Sequence, residues 1–403
     1  MPLDLTNTKH LDELYQLAEQ FLDESGGSSD ALQHLETELL NTPDTPLRRR
    51  VALKLARSKA IITRHFPADH PVFVSVLFAV YKEHQRILTS AEHPHGEDFL
   101  NRKIHQLHWL FDDIPHINWE LIVIDDGCPK NSGQIAQTII EQNKHSDKVR
   151  VLFLQDAIDA NLPVATGLAS TAESQKGGAI LYGMWEAAQE NHGDGIDHII
   201  IYTDADLSTH LGQSGLLLEP FLDPNVQAAI GSRRSPNSVV VKKGKRNTRG
   251  KLFIYLWKRL IPILGKIIDT QCAFKAFRAD LARDIVLDAI EKKFAFDIEL
   301  LLKTEQSFPK ATHVIPLAWI DSEAASTTTD IEPYLPMLQS IVCMYRTYLP
   351  ANEDTEPFAK LIESLTPETW QHLATHVPPE IGDCEPSDLG STTIVSANKF
   401  LRS

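Results

Sequence analysis

No apolar run in this sequence reaches the roughly 18 positions needed to span a bilayer. The longest candidate, LFIYLWKRLIPILGKII, carries Lys258, Arg259 and Lys266 within it. Nor is there a secretory leader pattern at the start, because Asp4, Asp12 and Glu13 break up the early apolar residues. Cysteine is scarce: Cys128, Cys272, Cys343 and Cys384 are scattered without metal-ligand spacing. A reducing, cytoplasmic setting is therefore expected. There is no internal repeat and no GxxxxGK[ST] phosphate loop. Positive charge is in short supply, with 39 Lys and Arg against 54 Asp and Glu and a net charge of −15. A general nucleic-acid binder needs a basic face for phosphate contacts, so that class is excluded. What remains, at 403 residues and 42% hydrophobic, is an ordinary globular chain of one large domain with additions, or of two domains.

The chain divides into three parts. Leu11, Leu14, Tyr15, Leu17, Ala18, Phe21 and Leu22 recur at helical spacing, as do Leu32, Leu35, Leu39 and Leu40. SGGSSD separates these two runs, and NTPDTP ends the second. LRRRVALKLARSKAIITRHF reads as a third helix, so residues 1–70 are expected to be a helical extension. The middle, 71–330, changes character. VFVSVLFAV, ELIVID, VRVLFL and HIIIYTD are short, β-branched and nearly continuous in apolar residues, with helical stretches between them. That is the pattern of a parallel sheet buried on both faces, an α/β architecture. From 331 to 403 helix returns, in PYLPMLQSIVCMYRTYL and LIESLTPETWQHLATHV, with Thr366 a plausible N-cap and an irregular tail at the end.

Open α/β sheets bind ligands beyond the carboxyl ends of their strands, so the residues just past each run carry the interest. IIIYTDADLSTH places Asp204 and Asp206 one residue apart after a buried strand. Two such carboxylates suit a divalent cation with hard oxygen ligands, Mg²⁺ or Mn²⁺; the alternative is a pair that caps the next helix. WELIVIDDGCPKNSG puts Asp125 and Asp126 in the same position, where a carboxylate can accept from a uracil or guanine N–H, or simply cap a turn. In ESQKGGAILYGMWEAA, Lys176 precedes Gly177 and Gly178 at a helix start, a place for an anion or for a flexible turn. No acidic residue occurs between Pro224 and Ile268, and Arg233, Arg234, Lys242, Lys243, Lys245, Arg246, Arg249, Lys251, Lys258 and Arg259 fall in that stretch. Such a run could clamp a pyrophosphate, an acidic acceptor or an anionic membrane, or be a solvated loop. Asp269 and Asp297, each with apolar neighbours, are candidates for a general base or for structural capping.

In this order, VSVLFAVYKE, LIVIDDGCPKNSG, KGGAILYG, IIYTDADLS, AAIGSRR, RGKLFIYLWKRLI, IDTQCAFKAFR and FAFDIELL resemble the family 2 glycosyltransferases of GT-A fold. The similarity is greatest to the dolichyl-phosphate β-glucosyltransferases and polyprenyl-phosphate mannosyltransferases, and it covers about 72–330. It implies a mixed, mostly parallel sheet flanked by helices. It implies a UDP- or GDP-sugar donor held by Ala79, Tyr81, Glu83, Asp126, Lys176, Gly177, Asp204, Ala205, Arg233 and Arg249. It further implies a divalent metal on Asp204 and Asp206, the latter more directly, and a single inverting displacement with Asp269 or Asp297 as base. The sequence departs from the family where Cys128 and Pro129 follow the glycine, where Ala273 replaces a common Gly and where Ser208 replaces a Gln. Dolichol-type members usually carry membrane segments. Their absence here favours an acceptor that is a soluble molecule, with a polyprenyl phosphate at the inner membrane face as the alternative. A non-catalytic sugar-nucleotide binding protein is the third reading. The terminal extensions suit a homodimer contact or a lid.

Overall fold

A computed structural model describes residues 3–42, 44–242, 247–321, 334–390 and 394–400. Its strands are β1 Val72–Val80, β2 Ile117–Asp125, β3 Val149–Phe153, β4 Asp197–Thr203, β5 Ala228–Ser232, β6 Val239–Val241, β7 Phe274–Arg278, β8 Thr312–Pro316 and β9 Ala318–Ile320. Seven of them form one sheet in the order β3-β2-β1-β4-β7-β5-β8, and β6 pairs with β9 apart from it. Strand β7 runs antiparallel to both β4 and β5, and the remaining pairs are parallel. This is the mixed, mostly parallel sheet flanked by helices that the sequence leads one to expect.

The one reversed strand matters for function. Because β7 is antiparallel, Phe274 at its start pairs with Thr203 at the end of β4. Residues 269–273 are thereby delivered to the carboxyl edge, beside Asp204. Strand β5 ends at Ser232, so Arg233 arrives at the same edge. Val80 pairs with Asp125, which puts Tyr81–Glu83 next to Asp126.

The N-terminal helices Thr8–Glu24, Ser29–Asn41 and Leu47–His65 start at side-chain caps on Asn7 and Ser28 and at Pro46. They share one apolar core with β1: Leu14, Phe21, Val51, Leu55 and Ile61 are buried with Val74, Val76 and Phe78. Ser58 Oγ accepts the Gly215 N–H at 2.9 Å, and the buried Lys54 ammonium donates to the Pro316 carbonyl at 3.1 Å while pairing with Glu36.

The C-terminal helices Tyr334–Tyr348, Glu356–Ser364 and Pro367–Thr375 pack around the helix Asn247–Leu260. Thr366 caps the last of them in a capping box with Thr369. Two expectations are corrected here. The sequence leaves the basic stretch that includes RGKLFIYLWKRLI open between a clamp for a pyrophosphate, an acidic acceptor or an anionic membrane and a solvated loop. Instead Leu252, Tyr255, Leu256, Trp257 and Leu260 are fully buried against these helices. Lys251 donates to the Gly382 carbonyl at 2.8 Å, and Arg259 donates to the Gly390 carbonyl. The end of the chain was expected to be an irregular tail; it is irregular in part, yet Leu389, Val395 and Phe400 are buried. Lys243, Lys245, Arg246 and the boundary at 330 lie outside the described residues. Among the described residues, no helix is long and apolar enough to cross a membrane.

Candidate active site

The β2 turn is built by its first aspartate. Asp125 accepts the Cys128 N–H on one oxygen and the Gly133 N–H on the other, both at 2.8 Å. Gly127 has φ +70°, and a Cβ there would strike Thr171. Cys128, where the resemblance leads one to expect Ser, accepts the Lys82 N–H at 3.1 Å and lies 3.1 Å from Ser132 Oγ. With the loop so held, Asp126 is free for another purpose. Its Oδ2 accepts the Lys176 N–H at 2.8 Å, while its Oδ1 is buried with no hydrogen-bond partner. Burial lifts the Asp126 carboxyl to about 6, against the lowering effect of the nearby Ser174 hydroxyl and of the Lys176 N–H bond.

Lys176 takes up φ +80°, a conformation that costs energy for a non-glycine residue and that the Asp126 bond helps to hold. Its ammonium pairs with Asp204. Burial opposes the Lys176 charge, but Asp204, Asp297 and Asp206 outweigh it and hold the amine above its usual range. Burial likewise opposes the Asp204 charge, and Lys176, Arg233 and Lys103 reverse the balance and depress its carboxyl. Asp206 has no such partner: burial and the neighbouring Asp204 push it up, despite the Ser208 N–H on Oδ1 at 3.0 Å. The buried Ala205 separates the two.

Gly177 and Gly178 have a different reason from the expected phosphate cradle. Gly178 N–H already donates to the Lys292 carbonyl at 2.8 Å, and a Cβ on Gly177 would stand 2.5 Å from the Lys293 carbonyl oxygen. The glycines let segment 292–293 pass close to the helix start.

The two candidate bases differ. Asp269 accepts three bonds from Arg233: backbone N–H at 2.8 Å, Nε at 2.9 Å and Nη2 at 2.7 Å. Burial works against its charge, but Arg233 overrides this and holds the carboxyl far below the usual range. Such a group is a poor proton acceptor. Asp297 takes the Tyr202 hydroxyl and the Lys275 ammonium on Oδ1, which leaves Oδ2 without a hydrogen bond among the described residues.

At the other edge, Glu83 does not face the cleft alone. Arg86 grips both its oxygens, at 3.1 and 3.0 Å, and reaches Glu97 at 3.1 Å. Burial lifts Glu83 to about 7; Arg86 opposes the rise, and Asp206 and Glu97 add to it. Ala79 is half-buried near the end of β1, and Tyr81, just past it, is 49% exposed. Arg249, on the helix covered by the C-terminal segments, makes no ion pair among the described residues.

Residues 95–286 match the model for Glycosyl transferase family 2. This segment, just under half of the chain, is similar to the family 2 glycosyltransferases. The chain is 29% identical over 220 residues to human dolichyl-phosphate beta-glucosyltransferase, covering 52% of this chain and 59% of that one. It is 25% identical over 194 residues to Glycosyltransferase AglD of Haloferax volcanii, covering 48% of this chain and 26% of that one. The chain thus spans less than two thirds of either protein. The solved glucosyl-3-phosphoglycerate synthase of Mycobacterium tuberculosis with UDP superposes with TM-score 0.47 at 17% identity, over 74% of this chain and 86% of that one.

Within the matched segment the strand-end carboxylates are compatible with a metal ion. Two carboxylates one residue apart raise the proton affinity of Asp206, and a cation would remove that repulsion. Among the described residues no set of three His, Cys, Asp or Glu surrounds a common point. A metal here would therefore draw its other ligands from water or from the donor phosphates, as Mg²⁺ commonly does.

Sequence reasoning missed Arg86, Glu97, Lys103, Tyr202 and Lys275. One signal was available. Lys103 falls on the apolar stripe of FLNRKIHQLHWLF with Phe99, Leu100 and Leu107, where a lysine has no solvent to reach.

Proposed function

We propose that this chain transfers a hexosyl group from a UDP- or GDP-sugar to a non-membrane acceptor, with inversion, using a divalent cation on Asp204 and Asp206. The observation that carries the reading is the convergence of Lys176, Asp204, Asp206 and the unpartnered Asp126 Oδ1 at one sheet edge. In this reading Asp126 accepts the ring N–H of the base. Lys176, which pairs with Asp204, would turn its charge to the donor phosphates if a cation took over that carboxylate. The metal supplies charge stabilisation for the departing diphosphate. Asp297, with one free oxygen, takes the acceptor proton, and Asp269 fixes Arg233 in the cleft wall. One displacement with one base inverts the anomeric centre without a covalent intermediate.

The covered helix Asn247–Leu260 supports an acceptor outside the bilayer, because its apolar side is already filled. The second reading, a polyprenyl phosphate acceptor, is supported by the human relative, whose name specifies dolichyl phosphate. A third, donor binding without turnover, rests on the fold alone.

Calorimetric titration of the protein with UDP-glucose, GDP-mannose, UDP-GlcNAc and UDP-galactose, each with Mg²⁺, Mn²⁺ or chelator, tests the proposal. Metal-dependent binding of one donor is expected, and Asp206→Ala should cost at least about a hundredfold in turnover once an acceptor is found. Folded protein that binds none of them would sink the reading. With the donor known, water-soluble hexose and phosphate acceptors compared with polyprenyl phosphate in detergent would separate the first two readings.

A further inference from the structure

Lys103 is fully buried, its ammonium has no hydrogen-bond partner, and it sits 5.3 Å from the centre of the Phe78 ring. A bare ammonium in an apolar interior is strongly disfavoured unless charges of the other sign stand close by. Burial dominates and lowers the amine to about 8; Asp206, Asp204 and Glu97 favour its charge against that, while Arg86 opposes it. The helix that carries Lys103 is fixed to the loop beyond Asp206, since Gln106, one turn on, accepts the Leu211 N–H at 2.8 Å. Gln106 Nε2 and Ser208 Oγ are also buried without partners.

The pairing of charges in this corner is specific. Arg86 serves Glu83 and Glu97, and Lys176 serves Asp204. Among the described residues Asp206 has no ion pair, and Lys103 is a buried cation in this corner without one. We propose that Lys103 is a resident cation of the donor site, a positioning residue that supplies part of the charge a metal would supply to Asp206 and the donor diphosphate. This rests on the donor-site reading above. It goes beyond it in one respect: nucleotide binding here is partly metal-independent, and metal binding is weakened by a lysine built into the wall.

The Coulomb argument gives opposite signs for the two ligands. Removing the Lys103 charge takes attraction from a diphosphate and repulsion from a divalent cation. At an effective dielectric of about 20, a unit charge even about 12 Å away is worth about tenfold per unit of ligand charge, so tenfold is the least effect expected in either equilibrium. Lys103→Met keeps the unbranched apolar stem and breaks no hydrogen bond, so the fold should tolerate it.

The experiment titrates wild type and Lys103→Met with Mn²⁺ alone, and with UDP and GDP in chelator and in saturating Mn²⁺. In the variant, Mn²⁺ alone should bind at least about tenfold more tightly. Nucleotide in chelator should bind at least about tenfold more weakly, so metal and nucleotide become more strongly coupled. Equal Mn²⁺ affinity in both proteins overturns the proposal, whatever nucleotide does. If neither protein binds nucleotide but Mn²⁺ binding tightens in the variant, the Lys103 assignment stands and the donor reading falls. If neither ligand binds either protein, both fall. Should Lys103→Met fail to fold, Lys103→Gln carries the same expectations.

Discussion

Asp125 and Asp126 are neighbours with separate tasks, and only the structure tells them apart. The first spends both oxygens on loop N–H groups; the second keeps one buried oxygen open. Asp126→Asn can still accept the Lys176 N–H, but its amide then turns a donor toward the base. Nucleotide affinity should fall roughly tenfold or more, the size of a hydrogen bond to a charged group. The wild-type carboxyl ionises at about 6, so wild-type affinity should drop as pH falls through 6, whereas the variant's should stay flat. The stability sign is opposite. A raised carboxyl binds its proton more tightly in the folded state, so its burial costs stability progressively as pH rises from about 4 to about 6, and in full above that. The variant should therefore melt no lower than wild type at pH 8. A variant that binds normally would remove Asp126 from the site. The two candidate bases give a second contrast. Asp297→Asn strands the buried Lys275, so it too should cost stability, and it should lower kcat by about 10² to 10⁴ with little change in donor KM. Asp269→Asn strands Arg233, so it should cost about 3 kcal/mol or more in denaturant unfolding and raise KM. The reverse pattern would exchange their roles. The strand-end residues were legible because a buried apolar run that stops at an aspartate shows where its edge is. Arg86, Glu97 and Tyr202 were not, because their roles exist only through partners distant in sequence.

At the scale of elements, β1 to β4 are readable as continuous apolar runs, and their expected positions match closely. Strands β5 and β7 are not readable this way. AAIGS is short and made of weak strand formers, and FKAFR carries two cations, one of which, Lys275, is buried only because Asp297 receives it. The reversal of β7 is a matter of pairing, which no local pattern encodes. The helix Asn247–Leu260 shows the same limit: its apolar side was legible, its covering was not. Tyr255 is the test of that covering. Its hydroxyl donates to the Val395 carbonyl at 2.6 Å and accepts the Val395 N–H at 3.0 Å. Tyr255→Phe leaves both groups buried and unpaired, at about 1–3 kcal/mol. The end of the chain should open more often, and protease cleavage between Gly382 and Val395 should speed up by about tenfold, read by mass spectrometry. Unchanged cleavage would mean that this segment is not held through Tyr255.

At the scale of the whole molecule, the question is which solvent the acceptor comes from. The chain concentrates its positive charge in one stretch, and a net charge of −15 surrounds it. Had the basic helix faced outward, that stretch would have given an anionic bilayer a place to attach, at about 1 kcal/mol per Lys or Arg near the surface. Instead Lys251 and Arg259 are turned to backbone carbonyls of the C-terminal segment, and Lys258 is buried beside Gly390. The chain as a whole carries 54 Asp and Glu against 39 Lys and Arg, an imbalance that an anionic membrane repels. The full chain should therefore stay in the supernatant when centrifuged with vesicles containing about a third anionic lipid at low ionic strength, where electrostatic attraction is strongest. Tyr255→Phe, whose C-terminal covering opens more readily, should show at most a small salt-sensitive bound fraction. Strong pelleting of wild type, abolished by salt, would mean that another basic surface meets the membrane, and the polyprenyl phosphate reading would then take the lead. Pelleting that salt does not abolish would point to apolar insertion by an element other than the filled face of Asn247–Leu260.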